Sequence, residues 1–174
     1  MAAPEQPYDA AAIVAALQRH DVRFVVIGGV AAIAQGSPLP TEDIDVTPDR
    51  SPDNLVALAA ALKDLEAELR TSEEPVAFPI DAAMLGGNTV WTLVTRAGNL
   101  DLVLEPAGTR GYDDLRRQAI ELDLGSGGPA LVAAIADVIR MKEASNREKD
   151  RVQLPALRRT LELIRERERR ERGG

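Results

Sequence analysis

Apolar positions along this chain switch between a period near 3.6 and a period near 2, and the switches mark its elements. Ala12, Ile13, Ala16 and Leu17 share one helical face and predict a first helix from about Asp9 to His20, after a proline-containing segment, residues 1–7, expected to fray. Phe24-Val25-Val26-Ile27 is short, apolar and β-branched, so it reads as a buried strand. Two glycines follow, then a short helix opening at about Val30 and closed by Gly36. Ser37-Pro38-Leu39-Pro40 is an extended linker, because each proline fixes its own φ and pushes its predecessor out of helix. Asp43 to Val46 alternates acid and aliphatic residue and reads as a second strand.

Ser51-Pro52-Asp53 is a helix start, with a capping residue, proline at the first position and an acid in the first turn. Leu55, Leu58, Leu62, Leu65 and Leu69 then recur at three and four, predicting one amphipathic helix through Leu69. Thr71 to Gly87, with two prolines and a glycine pair, is expected to be a loop with at most one short element. Val90 to Thr95 and Leu100 to Leu104 form a predicted hairpin around Arg96-Ala97-Gly98-Asn99; Leu100, Leu102 and Leu104 share one face and Asp101 takes the other. A short helix to about Gln118, a small strand over Ile120–Leu124 and a helix from about Leu131 to Asn146 complete the core. Pro155 is expected to open or bend a last helix carrying Leu154, Leu157, Leu161 and Ile164.

Composition narrows the chemistry. The 174 residues include no cysteine and one histidine, His20, at a predicted helix end, which excludes thiolate and histidine-cluster metal sites. No window approaches the length of a membrane span and the start lacks a signal-peptide pattern, so the expectation is a cytoplasmic protein. Net charge is −7, but residues 1–139 carry 9 basic against 21 acidic side chains, and residues 140–174 carry 12 against 7. The charged tail from about residue 165 mixes both signs and is read as a solvated helix. It has no interleaved aromatics for base stacking.

The candidate chemistry lies in Gly28 to Val46, GGVAAIAQGSPLPTEDIDV. A glycine pair between strand and helix lets backbone approach an anion, near the N–H groups that open the helix. Asp43 and Asp45 lie two apart, so on a strand they point the same way, separated by roughly 6.6 Å along the chain. That spacing suits one metal ion or a pair about 3.5 to 4 Å apart. The G-x-G-x-x-G spacing of a dinucleotide binder is absent.

Taken together, the glycine turn, the short helix and the Asp-x-Asp pair resemble the nucleotidyltransferase superfamily. The likeness is greatest to its small stand-alone bacterial members, which include abortive-infection toxins and toxins that modify tRNA. The resemblance spans roughly residues 9–157 and implies an α+β fold: a small mixed, mostly antiparallel sheet of four or five strands, helices packed on it, and a helical C-terminal portion. The implied division is a core over 1–130 and a helical segment over 131–174. The third carboxylate in that family comes from a strand next to the Asp-x-Asp strand, a place that Asp101 fits, with Glu105 the near competitor. Relatives carry a lysine followed by an Arg and a Lys-Asp pair; Lys142, Arg147, Lys149 and Asp150 match.

These likenesses imply two Mg²⁺ ions held by Asp43, Asp45 and Asp101. They also imply an NTP contacted by Gly28, Gly29 and Lys142, with Thr41 touching a phosphate or steadying the carboxylates. Gly29 lacks the hydroxyl of relatives with serine there, and the linker lacks an arginine that many relatives carry. The expected activity is transfer of an NMP from an NTP to RNA such as tRNA, or to protein, as the toxin of a toxin-antitoxin pair. Two alternatives stand beside it. One is a small-molecule (antibiotic) nucleotidyltransferase, for which the chain is short. The other is a catalytically silent binding partner or antitoxin, suited to the charge split between acidic body and basic end.

Overall fold

A computed structural model describes residues 8–174; the fraying expected of 1–7 lies outside the described residues. The chain begins with α1 (Ala10–Arg19), capped by Asp9, whose Oδ1 accepts from the Ala12 N–H at 3.0 Å. Next come β1 (Phe24–Ile27), α2 (Gly28–Ala34), β2 (Asp43–Pro48) and α3 (Pro52–Asp64). β3 (Glu68–Leu69), α4 (Ala82–Gly86), β4 (Val90–Thr95) and β5 (Gly98–Val103) follow, then α5 (Tyr112–Leu115) and β6 (Ile120–Asp123). β7 (Pro129–Val132), α6 (Ile135–Ser145) and α7 (Glu148–Arg172) close the chain.

The strands form one sheet in the order β3-β4-β5-β2-β1-β7-β6. β1–β2, β3–β4, β4–β5 and β6–β7 are antiparallel, while β2–β5 and β1–β7 are parallel. The sheet is therefore mixed and mostly antiparallel, as expected, but larger than the four or five strands the sequence suggested. On one face of the central strands Ile44, Val46, Leu100 and Leu102 are fully buried, in a core shared with Ile13 and Leu17 of α1 and Leu58 and Leu62 of α3. Burying them drives closure, at roughly 25 cal/mol per Å² of apolar surface. α6 packs on α2 and pairs with α7.

Several elements differ from their sequence-based bounds. The leucine helix stops at Asp64: Leu65 is its C-cap and Glu66 sits at φ +54°, so Leu69 belongs to an edge strand. Backbone pairing decides this, since the Leu69 N–H donates to Val76 O at 2.8 Å and the Arg70 N–H to Thr92 O at 3.0 Å. Leu131 and Val132 likewise lie in a strand, not in a helix. Residues 124–128, with Gly125 and Gly127 at positive φ, turn the chain so that Pro129–Val132 can pair with β6 and β1. The hairpin turn is only Arg96-Ala97, α2 begins at Gly28 and not Val30, and α5 ends before Gln118. Pro155 neither opens α7 nor stops it; the helix starts at Glu148 and the proline sits inside it.

Candidate active site

Register brings three carboxylates together. Asp43 and Asp45 alternate with buried Ile44 on β2, so both point to the face opposite the core. β5 runs parallel to β2 with Asp45 directly beside Asp101, and each of Asp43, Asp45 and Asp101 offers an oxygen within 4.8 Å of the others. The Thr41 hydroxyl donates to Asp43 O at 3.1 Å and reaches Asp43 Oδ1 at 3.3 Å. From the other side the Tyr8 hydroxyl donates to Asp43 O at 3.0 Å. The Tyr8 phenol is pushed up to about 12, by burial first and then by the charges of Asp43 and Asp45.

The two glycines are fitted to these side chains. Gly28 adopts φ +64°, and a Cβ there would overlap Asp45 Oδ2. A Cβ on Gly29 would lie 2.8 Å from Thr41 Cβ and Oγ1. Both positions therefore exclude a side chain because the carboxylate strand and its approach pass directly over the backbone. The sequence pattern alone offered only the anion-approach reason for them.

Burial and mutual repulsion set the electrostatics. Burial, then the charges of Asp43 and Asp101, push Asp45 up to about 7, against the pull of Lys142. Burial also raises Asp101, where Asp43 adds to it and the guanidinium of Arg70 opposes it. Arg70 Nη2 donates to Asp101 Oδ1 at 2.6 Å. Such a cluster, three hard oxygen donors crowded onto one spot and reluctant to ionise together, fits a divalent cation of the Mg²⁺ kind.

The aspartates face a cleft of about 800 Å³. Its lining includes Gly28 and Gly29, Val90, Thr92 and Val103, and residues of the α6–α7 junction. At that junction Lys142 Nζ lies 3.5 Å from Asp150 Oδ1, and Arg147 Nε lies 3.0 Å from Asp150 Oδ2. Asp150 is 1% exposed. Burial alone would raise it, but hydrogen bonds from Arg147 and Ser145 hold it down at about 2. Arg147 and Lys149 also line the cleft, so three cationic side chains border it with the carboxylates. Glu105 lines the cleft as well, but it is paired with Arg50.

All the residues singled out in the sequence thus meet at one cleft. Arg70 and Tyr8 were not among them. Arg70 fell at the edge of a segment read as helix and loop, and nothing in its local pattern signals the site; only the β3–β4 pairing carries it there.

No protein-family model matches the chain, and no curated protein matches it. Among solved structures, the chain is similar to the Thermotoga maritima protein TM1012, provisionally assigned as a nucleotidyltransferase. The TM-score is 0.54 with 14% identity, over 82% of this chain and 86% of that one. The solution structure of the antibiotic-resistance factor ANT(2'')-Ia aligns with TM-score 0.49 and 17% identity, over 92% of this chain and 89% of that one. The likeness establishes the fold: the chain has the α+β architecture of the nucleotidyltransferase fold, and its own C-terminal portion is helical.

Proposed function

We propose that this chain is a Mg²⁺-dependent nucleotidyltransferase that moves an NMP from an NTP onto a macromolecular acceptor, RNA such as tRNA or a protein, as the toxin of a toxin-antitoxin pair. One observation carries the reading: three carboxylates from adjacent parallel strands converge within 4.8 Å, in a cleft also lined by Lys142, Arg147 and Lys149. The transferase fold of TM1012 supports it.

Asp43, Asp45 and Asp101 would hold the divalent cation. When bound, it neutralises charge on the triphosphate and on the attacking oxygen. The chain's own residues supply the rest. Gly28 and Gly29, against which Asp45 and Thr41 pack, would offer backbone N–H groups to the triphosphate, and Lys142, paired with Asp150, would neutralise its β- or γ-phosphate. The acceptor hydroxyl forms a bond to the α-phosphorus, the α–β bridging P–O bond breaks, and pyrophosphate leaves toward Lys142. Asp101 would take the acceptor proton. Lys142, Arg147 and Lys149, the cleft-lining part of the predominantly basic segment after residue 140, would attract a polyanionic acceptor.

The test is a transfer assay with purified protein, Mg²⁺, each α-labelled NTP in turn, and total cellular RNA or protein extract. Label retained on RNA or protein, and lost in Asp43→Asn/Asp45→Asn, is the expected result. Nucleotide binding without label in any fraction would overturn it in favour of a silent binding partner or a small-molecule acceptor.

A further inference from the structure

Arg70 lies in one row of the sheet with the carboxylates. Its backbone N–H donates to Thr92 O, Thr92 is the register partner of Asp101, and Asp101 is the partner of Asp45. Two strand spacings of roughly 4.8 Å separate Arg70 from Asp101. An arginine side chain crosses that gap only over a short neighbour, and the residue between them is threonine. The guanidinium is held at two points: Nη2 donates to Asp101 Oδ1 at 2.6 Å and Nη1 to Leu93 O at 3.3 Å. Contact is through Oδ1 alone, which leaves Oδ2 of Asp101 without an arginine partner. Both side chains are largely withdrawn from water, at 30% and 17% exposed, so their attraction is only partly screened.

We propose that Arg70 is the resident counter-cation of the carboxylate cluster. It positions Asp101 through Oδ1, and its charge competes with a divalent cation for that carboxylate. The inference rests on the reading of Asp43, Asp45 and Asp101 as a metal-holding set. A purely structural arginine would, when removed, loosen the strand edge and weaken every property of the site together. A counter-cation gives an opposed pair of effects. Removing it leaves the cluster more negative, so cation affinity rises, while Asp101 loses its fixed aim, so turnover falls.

The experiment is a Mn²⁺ titration of the full chain followed by electron paramagnetic resonance, beside transfer kinetics, for wild type, Asp45→Asn, Arg70→Gln and Arg70→Lys. Arg70→Gln is expected to bind Mn²⁺ roughly tenfold tighter, from a unit charge removed at contact range in a partly screened site, with kcat reduced. Arg70→Lys, which keeps the charge, is expected to stay within about twofold of wild type in Mn²⁺ affinity. Unchanged or weaker Mn²⁺ binding in Arg70→Gln overturns the proposal, and so does tightening in Arg70→Lys, which remains readable if the glutamine variant does not fold. Wild-type protein whose Mn²⁺ binding is indifferent to Asp45→Asn would overturn the metal-holding reading itself, a failure distinct from that of Arg70 alone.

Discussion

Replacing Asp45 by asparagine should stabilise the metal-free protein, and increasingly so as the pH rises. Asp45 is buried beside Asp43 and Asp101, which lift its carboxyl from an ordinary 3.8 to about 7 in the fold. The folded chain therefore binds this proton more tightly than the unfolded chain does. The resulting stability is fully present below pH 3.8, declines as the pH rises, and is lost above about 7. At about 1.4 kcal/mol per tenfold of proton affinity, ionised Asp45 costs the metal-free fold on the order of 4 kcal/mol. Asparagine has the same shape and no charge, so the variant escapes that penalty. The stability difference between Asp45→Asn and wild type should widen by about 2 to 3 kcal/mol between pH 5 and pH 8. The assay is urea unfolding of both proteins with a chelator at each pH; taking their difference cancels titrations away from the carboxylate cluster and leaves those of Asp45 and its coupled neighbours. Mg²⁺ added at pH 8 should stabilise wild type and leave the variant unmoved. A difference that stays flat across this range, or a variant less stable than wild type at pH 8, would refute the reasoning.

Gly28→Ala should cost about 1 to 2 kcal/mol of stability from positive φ alone. Its Cβ overlaps Asp45 Oδ2, so Mn²⁺ affinity should fall about 10- to 100-fold, as read by the same resonance titration. Asn54→Ala tests the fold apart from the site. Asn54 is 1% exposed, accepts from the Arg23 N–H at 2.7 Å and donates to Arg23 O at 3.0 Å and Asp49 O at 2.7 Å. Its loss leaves the Arg23 N–H and Asp49 O without this partner, while Arg23 O keeps the Asp49 N–H, and should lower unfolding free energy by about 2 to 3 kcal/mol, with Mn²⁺ affinity unchanged.

Local pattern was enough for much of this molecule. The α1 face, the buried strand before the glycines, the acid–aliphatic alternation of β2 and the proline-led start of α3 each depend on neighbours a few residues away. Their periods and starting points are written directly in the residue order, although Ser51 at the start of α3 makes no side-chain cap and turns its hydroxyl to Asp49. Asp43 and Asp45 share a face for the same reason, and Asp101 takes the face opposite Leu100 and Leu102. Local pattern failed where backbone pairing over long separations decided the conformation. The leucine spacing through Leu69 suits a helix, yet partners at Val76 and on β4 made that end a strand. Ala130 and Val132 are buried, with Pro129 exposed and Leu131 half-buried, but four residues are too short a run to separate strand from helix until β1 and β6 lie beside them.

The sequence by itself determined which residues carry chemistry and which way they point along their own elements, because side-chain direction follows from local periodicity. Tertiary structure alone decided their meeting: Asp101 beside Asp45 through parallel register, Arg70 on Asp101 across Thr92, and Asp150 buried between Lys142 and Arg147. It also supplied the steric reason for Gly28 and Gly29, side chains of Asp45 and Thr41 packed against their backbone. Contacts of this kind depend on strand order and on how helices close over the sheet, and those are fixed by burial of the whole core, to which no single window of residues has access.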